Sequence, residues 1–469
     1  MTAFLISLAI LVGGYVCYGY LVDKVFGTSR SNPVPAYTKR DDVDFQPMST
    51  WKVFLIQFLN IAGLGPIFGA IMGILYGPAA FLWIALGTIF AGGVHDYFSG
   101  IISLRMGGAS LPEIVGRELG NGIKQLMRGF SVLLLVLVTA VFVITPAGLL
   151  SSMTPDWLDL TIWTCVIFAY YILATLLPID KLIGNLYPVF GFALLFMAVG
   201  LMGVLLFGGV DIPVSFSSGL GSRTSAPVFP MMFVSIACGA ISGFHATQSP
   251  MMARCLKNEK LARPVFYGAM VAEGIVALIW AAAAVTFTHG YSGLSEYLAA
   301  PDHSPGTLVH DISFSWLGTF GGILAVLGVI VAPITTGDTA LRSARLTVAD
   351  FMNIDQKRLW PRMMVAFPLI AIVALIMLID FNVLWRYFAW SNQTLSVFTL
   401  WAITVYLARN HKAYIISLVP ALFMTAVTST YLMAAPRPEG FGLDYAVALV
   451  IGGVVTIGLA LIFFFKKKA

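Results

Sequence analysis

Charge is what this chain has least of. Asp, Glu, Lys and Arg make up 10% of its 469 residues and hydrophobic residues 59%, against roughly 25% and 45–50% in soluble domains. A soluble fold of this length has no interior large enough to hide so much apolar surface, so the chain reads as polytopic. Its four cysteines (Cys17, Cys165, Cys238 and Cys255) lie in or beside apolar stretches without metal-type spacing. That argues against a disulfide framework and leaves small packing residues. No HExxH or comparable ligand spacing occurs, which counts against an intramembrane metalloenzyme, and the chain is not expected to be an enzyme. The first apolar stretch, Ala3 to Val22, lacks a basic n-region and a small-x-small cleavage site, and reads as a retained helix. The net charge of +5 is small; the expected partner is the lipid bilayer, not nucleic acid.

What is present instead is a series of thirteen apolar stretches, near 3–22, 53–75, 79–104, 127–148, 160–177, 185–207, 228–252, 265–287, 316–340, 363–380, 383–407, 413–433 and 443–465. Each approaches the roughly 20 residues that cross hydrocarbon as a helix. The stretches 110–126 and 346–361 read as amphipathic interfacial segments. Of the 27 Lys and Arg residues, all but Arg223, Arg386 and Arg437 fall on alternate loops or on the C-terminal tail. That asymmetry puts the C-terminus in the cytoplasm and, across an odd number of spans, the N-terminus outside.

Two spans are interrupted alike. The second carries Asn60-Ile61-Ala62-Gly63-Leu64-Gly65-Pro66, and the seventh carries Ala237-Cys238-Gly239-Ala240-Ile241-Ser242-Gly243-Phe244-His245. In hydrocarbon an unpaired backbone group costs several kcal/mol, so a break survives only where protein or a solvated cavity satisfies it. Paired breaks at matching places in two halves point to a transporter's central site. Five spans separate one break from the next, and five being odd, the second set enters the membrane from the opposite side, as in an inverted repeat. The expected organisation is an extra helix and loop over 1–50, a first five-helix repeat over 51–210, a second over 226–410, and two peripheral helices over 411–469.

Ionisable groups at membrane depth mark pathways or relays. His95 and Asp96 sit in the third span, about 100° apart on a helix and so not automatically partners. A structural salt bridge near Arg105 is the plainer reading of Asp96. His245 follows the second break with Ser242, Thr247, Gln248 and Ser249, as a proton carrier, a hydrogen-bonder, or, with His95, a metal ligand. Glu273 in the eighth span has no cation within a turn or two: it titrates, pairs with another helix or binds a cation. In the ninth span Thr335, Thr336, Asp338 and Thr339 offer hard oxygen ligands, or cap a helix end beside Arg342. Asn392 and Gln393 in the eleventh span are either helix–helix glue or substrate contacts. The loop 289–315, with His289, Asp302, His303, His310 and Asp311, reads as solvated loop chemistry more than a metal site.

Several of these motifs in order resemble the carbon starvation protein A family: Ile61 to Pro66 with Gly69, Gly93 to Tyr97, Ile236 to His245, Pro333 to Ala340, and Asn392-Gln393. The likeness covers about residues 50–410. It implies an importer of peptides or pyruvate in the bacterial cytoplasmic membrane. It also implies an all-α, LeuT-like fold of about 13 transmembrane helices, a five-plus-five inverted repeat with two broken helices and peripheral helices. On that likeness Thr335, Thr336 and Thr339, with carbonyls of Ala62 and Gly65, match a sodium site, which Asp338 beside them would turn into a proton site. No cofactor is obligatory; the coupling ion is Na⁺ or H⁺, with Asp96 and Glu273 as further ion-coupling candidates. Half-helix N-termini would hold a substrate carboxylate, with Asn60, Gly63, Gly65, Ser242, His245, Gln248, Asn392 and Gln393 as the substrate-binding set. The alternatives are a channel-like pore without coupled transport, a metal-binding membrane protein, and a sensor or scaffold.

Overall fold

The structure, a computed structural model, describes residues 1–41, 45–176, 180–301, 303–352, 354 and 358–468. Each of the thirteen expected stretches contains helix among its described residues, with non-helical breaks at 62–64 and 240–244. Among the described residues nine helices are long and apolar enough to cross a membrane: α1 (Thr2–Phe26), α4 (Ala79–Arg105), α6 (Asn121–Met153), α8 (Asp180–Phe207), α11 (Glu259–Phe287), α13 (Pro305–Met352), α14 (Leu359–Ile376), α16 (Ile415–Ala434) and α17 (Tyr445–Lys468). The bent pair α2 (Thr50–Ile61) and α3 (Gly65–Ile74), at 47°, makes a tenth. The remaining three fall short for visible reasons. Helix α7 (Leu160–Leu176) is short, the seventh span is split into α9 (Val228–Ser235) and α10 (His245–Ala253), and α15 (Phe381–Arg409) carries Arg386 and the polar run 391–394. The chain is an all-helical, multi-pass membrane protein.

Two segments depart from expectation. The predicted interfacial segment 110–126 is α5 (Leu111–Leu119), opened by a capping box in which Ser110 and Glu113 satisfy each other's amides, followed by the start of α6. The stretch 346–361 is not one separate segment: α13 continues to Met352, and residues 353 and 355–357, with Lys357, lie outside the described residues. Helix α13 also begins earlier than expected because two helices meet at Gly318, where φ is +68°, a conformation that needs no Cβ. Part of the loop 289–315 is therefore helical, as α12 (Tyr291–Ala299) and the first turns of α13, and Asp302 lies outside the described residues.

The helices gather into two compact units. The first holds Met1–Met127, Pro213–Ala282 and Ala389–Ala469; the second holds Arg128–Ile212 and Ala283–Phe388. Each unit thus takes spans from both halves of the chain. In the second unit α8 and α13 pack along each other, with Gly328 letting α13 approach the α8 backbone at Ala193 and Leu194. In the first unit α1, α4 and α11 each contain a wide π-helical turn: Tyr15–Gly19, Thr88–Gly92 and Arg263–Tyr267. Such turns displace a carbonyl from its helical partner. The Tyr267 hydroxyl donates to the Ile89 carbonyl in one of them, and the Tyr15 and Tyr267 rings lie 6.1 Å apart.

Near the ends of α1 and α4 and the start of α11, a polar clasp ties elements of the first unit together. Arg105 donates to both Glu259 oxygens (2.9 and 3.2 Å) and to the Gly27 carbonyl (3.0 Å). Glu259 also accepts from the Ser29 amide (3.1 Å) and Asn32 Nδ2 (2.7 Å). Beside it the Tyr97 and Thr28 hydroxyls donate to Asp23 at 2.7 and 2.9 Å. Arg105 is therefore committed to Glu259, and Asp96 does not form the plain salt bridge that its position allowed.

Candidate functional site

Both breaks lie in the first unit and face each other. Span 2 opens at Ala62, where the helix ends with Ala62 N–H bonded to Phe58 O (2.7 Å), and restarts at Gly65-Pro66. The absent Pro66 N–H is one that a first turn leaves unpaired in any case. A Cβ at Gly65 would strike the Cys238 side chain, and one at Gly69 would strike the Ile236 carbonyl. These glycines let the two interrupted spans cross at close range.

Span 7 unwinds for longer. After a single 3₁₀ turn at Ala237–Gly239 the chain runs non-helically to α10 at His245. Its backbone groups are met from neighbouring helices. Thr88 Oγ1 donates to the Gly239 carbonyl (3.2 Å) and Gln393 Nε2 to the Ile241 carbonyl (3.0 Å). Gly243 N–H donates to the Asn392 carbonyl (3.1 Å), and Phe244 N–H to Asn392 Oδ1 (2.8 Å). Gln57, a polar residue one turn before Asn60, donates from Nε2 to Ser249 Oγ (3.1 Å) and ties the two broken spans. Gln57 and Thr88 were not among the candidates, yet a glutamine inside an apolar span is a readable signal.

At the start of α10 four titratable side chains, all buried from solvent, line up. His95 Nδ1 lies 2.8 Å from Asp96 Oδ1, and His245 Nδ1 lies 2.9 Å from Asp96 Oδ2. On the other edge of the same imidazole, His245 Nε2 faces Glu273 Oε2 at 3.4 Å. Asp96 thus takes one ring nitrogen on each oxygen, and His245 bridges two carboxyl groups from α4 and α11. Although 100° apart on the helix, His95 and Asp96 do pair, because a carboxyl group buried here needs every hydrogen-bond partner within reach. Neither Glu273 oxygen, nor His245 Nε2, has a hydrogen-bond partner among the described residues. With Nδ1 bonded to Asp96, His245 turns its other ring nitrogen toward Glu273, a geometry that suits proton exchange between the two. Among the described residues no group of three or more His, Cys, Asp and Glu is arranged to hold a metal ion.

The remaining candidates divide. Asn60 Oδ1 is buried with no hydrogen-bond partner among the described residues. Ser242 Oγ donates to Asn392 Oδ1 (3.1 Å), and Gln248 Nε2 to Thr247 Oγ1 (3.2 Å). The half-helix amides are largely engaged inside the protein: those of Ala246 and Thr247 bond back to Gly243 O and Phe244 O, and Ile67 and Phe68 N–H both bond to Leu64 O. Asn392 and Gln393 turn their side chains onto the unwound segment of span 7. Thr335, Thr336, Asp338 and Thr339 belong to the second unit, whereas Ala62, Gly63 and Gly65 belong to the first. The three threonine hydroxyls donate to carbonyls of their own helix (2.9 to 3.2 Å), and Asp338 Oδ1 lies 3.7 Å from Arg342. Tyr171 caps this stretch, its hydroxyl 2.8 Å from the Phe142 carbonyl and 3.0 Å from that of Pro333.

Comparison with known proteins agrees with this architecture. The chain is 41% identical over 352 residues to an uncharacterized membrane protein of Haemophilus influenzae, covering 64% of this chain and 95% of the relative. It is 28% identical over 340 residues to the peptide transporter CstA of Campylobacter jejuni, and 26% identical over 341 residues to the pyruvate/proton symporter BtsT of Escherichia coli. Both alignments take in 58% of this chain but only 48% and 47% of those transporters, so the chain spans about half the length of each. In fold it is similar to the crystallised manganese transporter of Eremococcus coleocola, with a TM-score of 0.54 at 14% identity, over 89% of this chain and 94% of that one. A family model described as carbon starvation protein CstA matches residues 1–157 and 151–313, and the chain belongs to that family.

Proposed function

We propose that the chain is a secondary active transporter that moves a small carboxylate-bearing solute, pyruvate or a short peptide, together with a proton. It would act in the bacterial cytoplasmic membrane, N-terminus outside and C-terminus inside, by alternating access of a LeuT-like inverted repeat. The observation that carries this reading is the buried series at the break of span 7 in which Asp96 is bonded to His245 Nδ1 and Glu273 stands 3.4 Å from His245 Nε2. A titratable chain placed where a helix is unwound couples proton occupancy to the local backbone, which a passive pore has no need of. The names of the relatives, a peptide transporter and a pyruvate/proton symporter, support the substrate class and the ion. His245 and Glu273 would carry the proton, with Asp96 fixing the His245 tautomer and His95 sharing the load on Asp96. Asn60, Ser242 and Gln248 would orient the solute near Gly63 and Gly65.

Sodium coupling through Thr335, Thr336 and Thr339 is the second reading, and their clustered oxygens favour it. Against it, Asp338 is paired with Arg342. For a zwitterionic peptide carried with one proton, a membrane potential of 100 mV supplies about 2.3 kcal/mol, roughly 50-fold accumulation; a pyruvate anion carried with one proton moves no net charge and is driven by the pH gradient alone. The test is uptake of radiolabelled pyruvate, dialanine and trialanine into proteoliposomes under separate proton and sodium gradients. Saturable, proton-driven uptake with counterflow supports the proposal; flux without saturation or counterflow means a pore, and sodium-only drive moves the coupling site to α13.

A further inference from the structure

Asn392 meets the unwound segment of span 7 with both its side chain and its backbone. Its Oδ1 accepts the Phe244 N–H (2.8 Å) and the Ser242 hydroxyl (3.1 Å), its Nδ2 donates to Cys238 Sγ (3.1 Å), and its own carbonyl accepts the Gly243 N–H (3.1 Å). One buried residue of α15 therefore binds four groups between Cys238 and Phe244, and it uses both lone pairs of its amide oxygen to do so. Phe244 is the N-cap residue of α10, and its side chain has no oxygen with which to cap that helix. The cap comes instead from α15. The next residue is His245, the bridge between Asp96 and Glu273. Close approach is built in: a Cβ at Gly243 would strike the Asn392 carbonyl and the Ser396 amide.

We propose that Asn392 is a positioning residue: it caps the second half-helix of span 7 from a neighbouring helix and thereby sets where the His245 imidazole stands between its two carboxyl groups. The inference rests on the proton-coupled reading for its consequence in transport, but the cap itself has a readout that needs no transport. In Asn392→Ala the Phe244 amide and the Ser242 hydroxyl lose their acceptor in a water-poor interior. One lost buried hydrogen bond corresponds to about tenfold in a local opening equilibrium.

The experiment pairs hydrogen exchange with proteoliposome uptake of radiolabelled pyruvate and dialanine. Amides of residues 243–248 are expected to exchange at least about tenfold faster in Asn392→Ala. Asn392→Asp, which keeps the acceptor oxygen, is expected to return them to near the wild-type rate. In uptake, Asn392→Ala is expected to keep KM within about threefold, lower the maximal proton-driven rate about tenfold and displace the pH optimum, as loss of His245 placement predicts. Unchanged exchange in Asn392→Ala overturns the cap. A raised KM at constant maximal rate makes Asn392 a direct substrate ligand and overturns the positioning role. If the wild-type protein moves neither solute, the transport reading for those solutes fails while the exchange result still decides the cap; should Asn392→Ala not fold, exchange in Asn392→Gln, whose longer arm misplaces the acceptor, decides it.

Discussion

Replacing Glu273 by glutamine tests the relay at its least supported member. The side chain is fully buried, 3.4 Å from His245 Nε2. Were the two fully ionised, their attraction would be about 5 kcal/mol at an effective dielectric near 20. Burying each ion costs several kcal/mol, so gain and penalty are of similar size and the net worth of the pair to stability is small. Glutamine keeps the shape, and its Nε2–H can still donate to His245. Glu273→Gln is thus expected to fold with a melting temperature within a few degrees of the parent. What it removes is the exchangeable proton. One pH unit across the membrane is worth about 1.4 kcal/mol per proton, roughly tenfold accumulation for a one-to-one symporter. The variant should lose that tenfold and equilibrate its solute, while solute-for-solute counterflow stays within about threefold of the parent. Proteoliposome uptake with an imposed pH step, followed by counterflow in the same vesicles, reads both quantities. Proton-driven accumulation by Glu273→Gln equal to the parent's would refute the reasoning.

Asp338→Asn is expected to keep proton-driven uptake, since Asp338 sits beside Arg342 one turn along its own helix; loss of accumulation with counterflow retained would transfer the coupling to α13. Gly65→Ala forces a Cβ onto Cys238 and is expected to cost about 1–3 kcal/mol by overpacking, read as a lower melting temperature. Cys238→Gly in the same chain should recover part of that loss, whereas no side-chain change should rescue Gly69→Ala, whose clash is with the Ile236 carbonyl. Arg105→Gln leaves the buried Glu259 without its guanidinium and is expected to cost about 3–5 kcal/mol; Arg105→Gln with Glu259→Gln should be more stable than Arg105→Gln alone in the same thermal assay. Outside the spans, burial and the bond to Asp311 Oδ2 (2.6 Å) push the Tyr297 phenol up to about 12. Because its folded value exceeds its ordinary one, its contribution to stability is complete below about pH 10 and fades as pH rises toward 12. Difference spectra of the parent against Tyr297→Phe should show one phenol titrating in that late range.

The spans and both breaks were legible in the sequence because hydrocarbon length and the Gly-Leu-Gly-Pro and Ser-Gly-Phe-His runs act through local rules: apolar run length, a missing amide, a missing Cβ. The candidates His95, Asp96, His245 and Glu273 were legible one at a time, as costly groups at membrane depth. Their assembly was not, since which imidazole edge meets which carboxyl depends on how α4, α10 and α11 cross, and no residue spacing along one helix encodes that. Arg105 illustrates the limit: sequence proximity offered it to Asp96, but the fold gives it to Glu259, more than 150 positions away. The π-helical turns escaped for a related reason. A single inserted residue leaves hydrophobic periodicity nearly unchanged, and its displaced carbonyl shows only once Tyr267 is seen to reach Ile89.

The discontinuous make-up of the two units has a consequence for biogenesis. The first needs residues from the beginning, middle and end of the chain, and the second needs two separated stretches. While the ribosome has delivered only the opening third, the break of span 2 has been made but Cys238 and Ile236, which pack against Gly65 and Gly69 just after it, have not. The nascent polypeptide therefore carries an unsealed break until later segments arrive. Truncation after the first five-helix set would strand it in that state, a ready substrate for quality-control proteolysis.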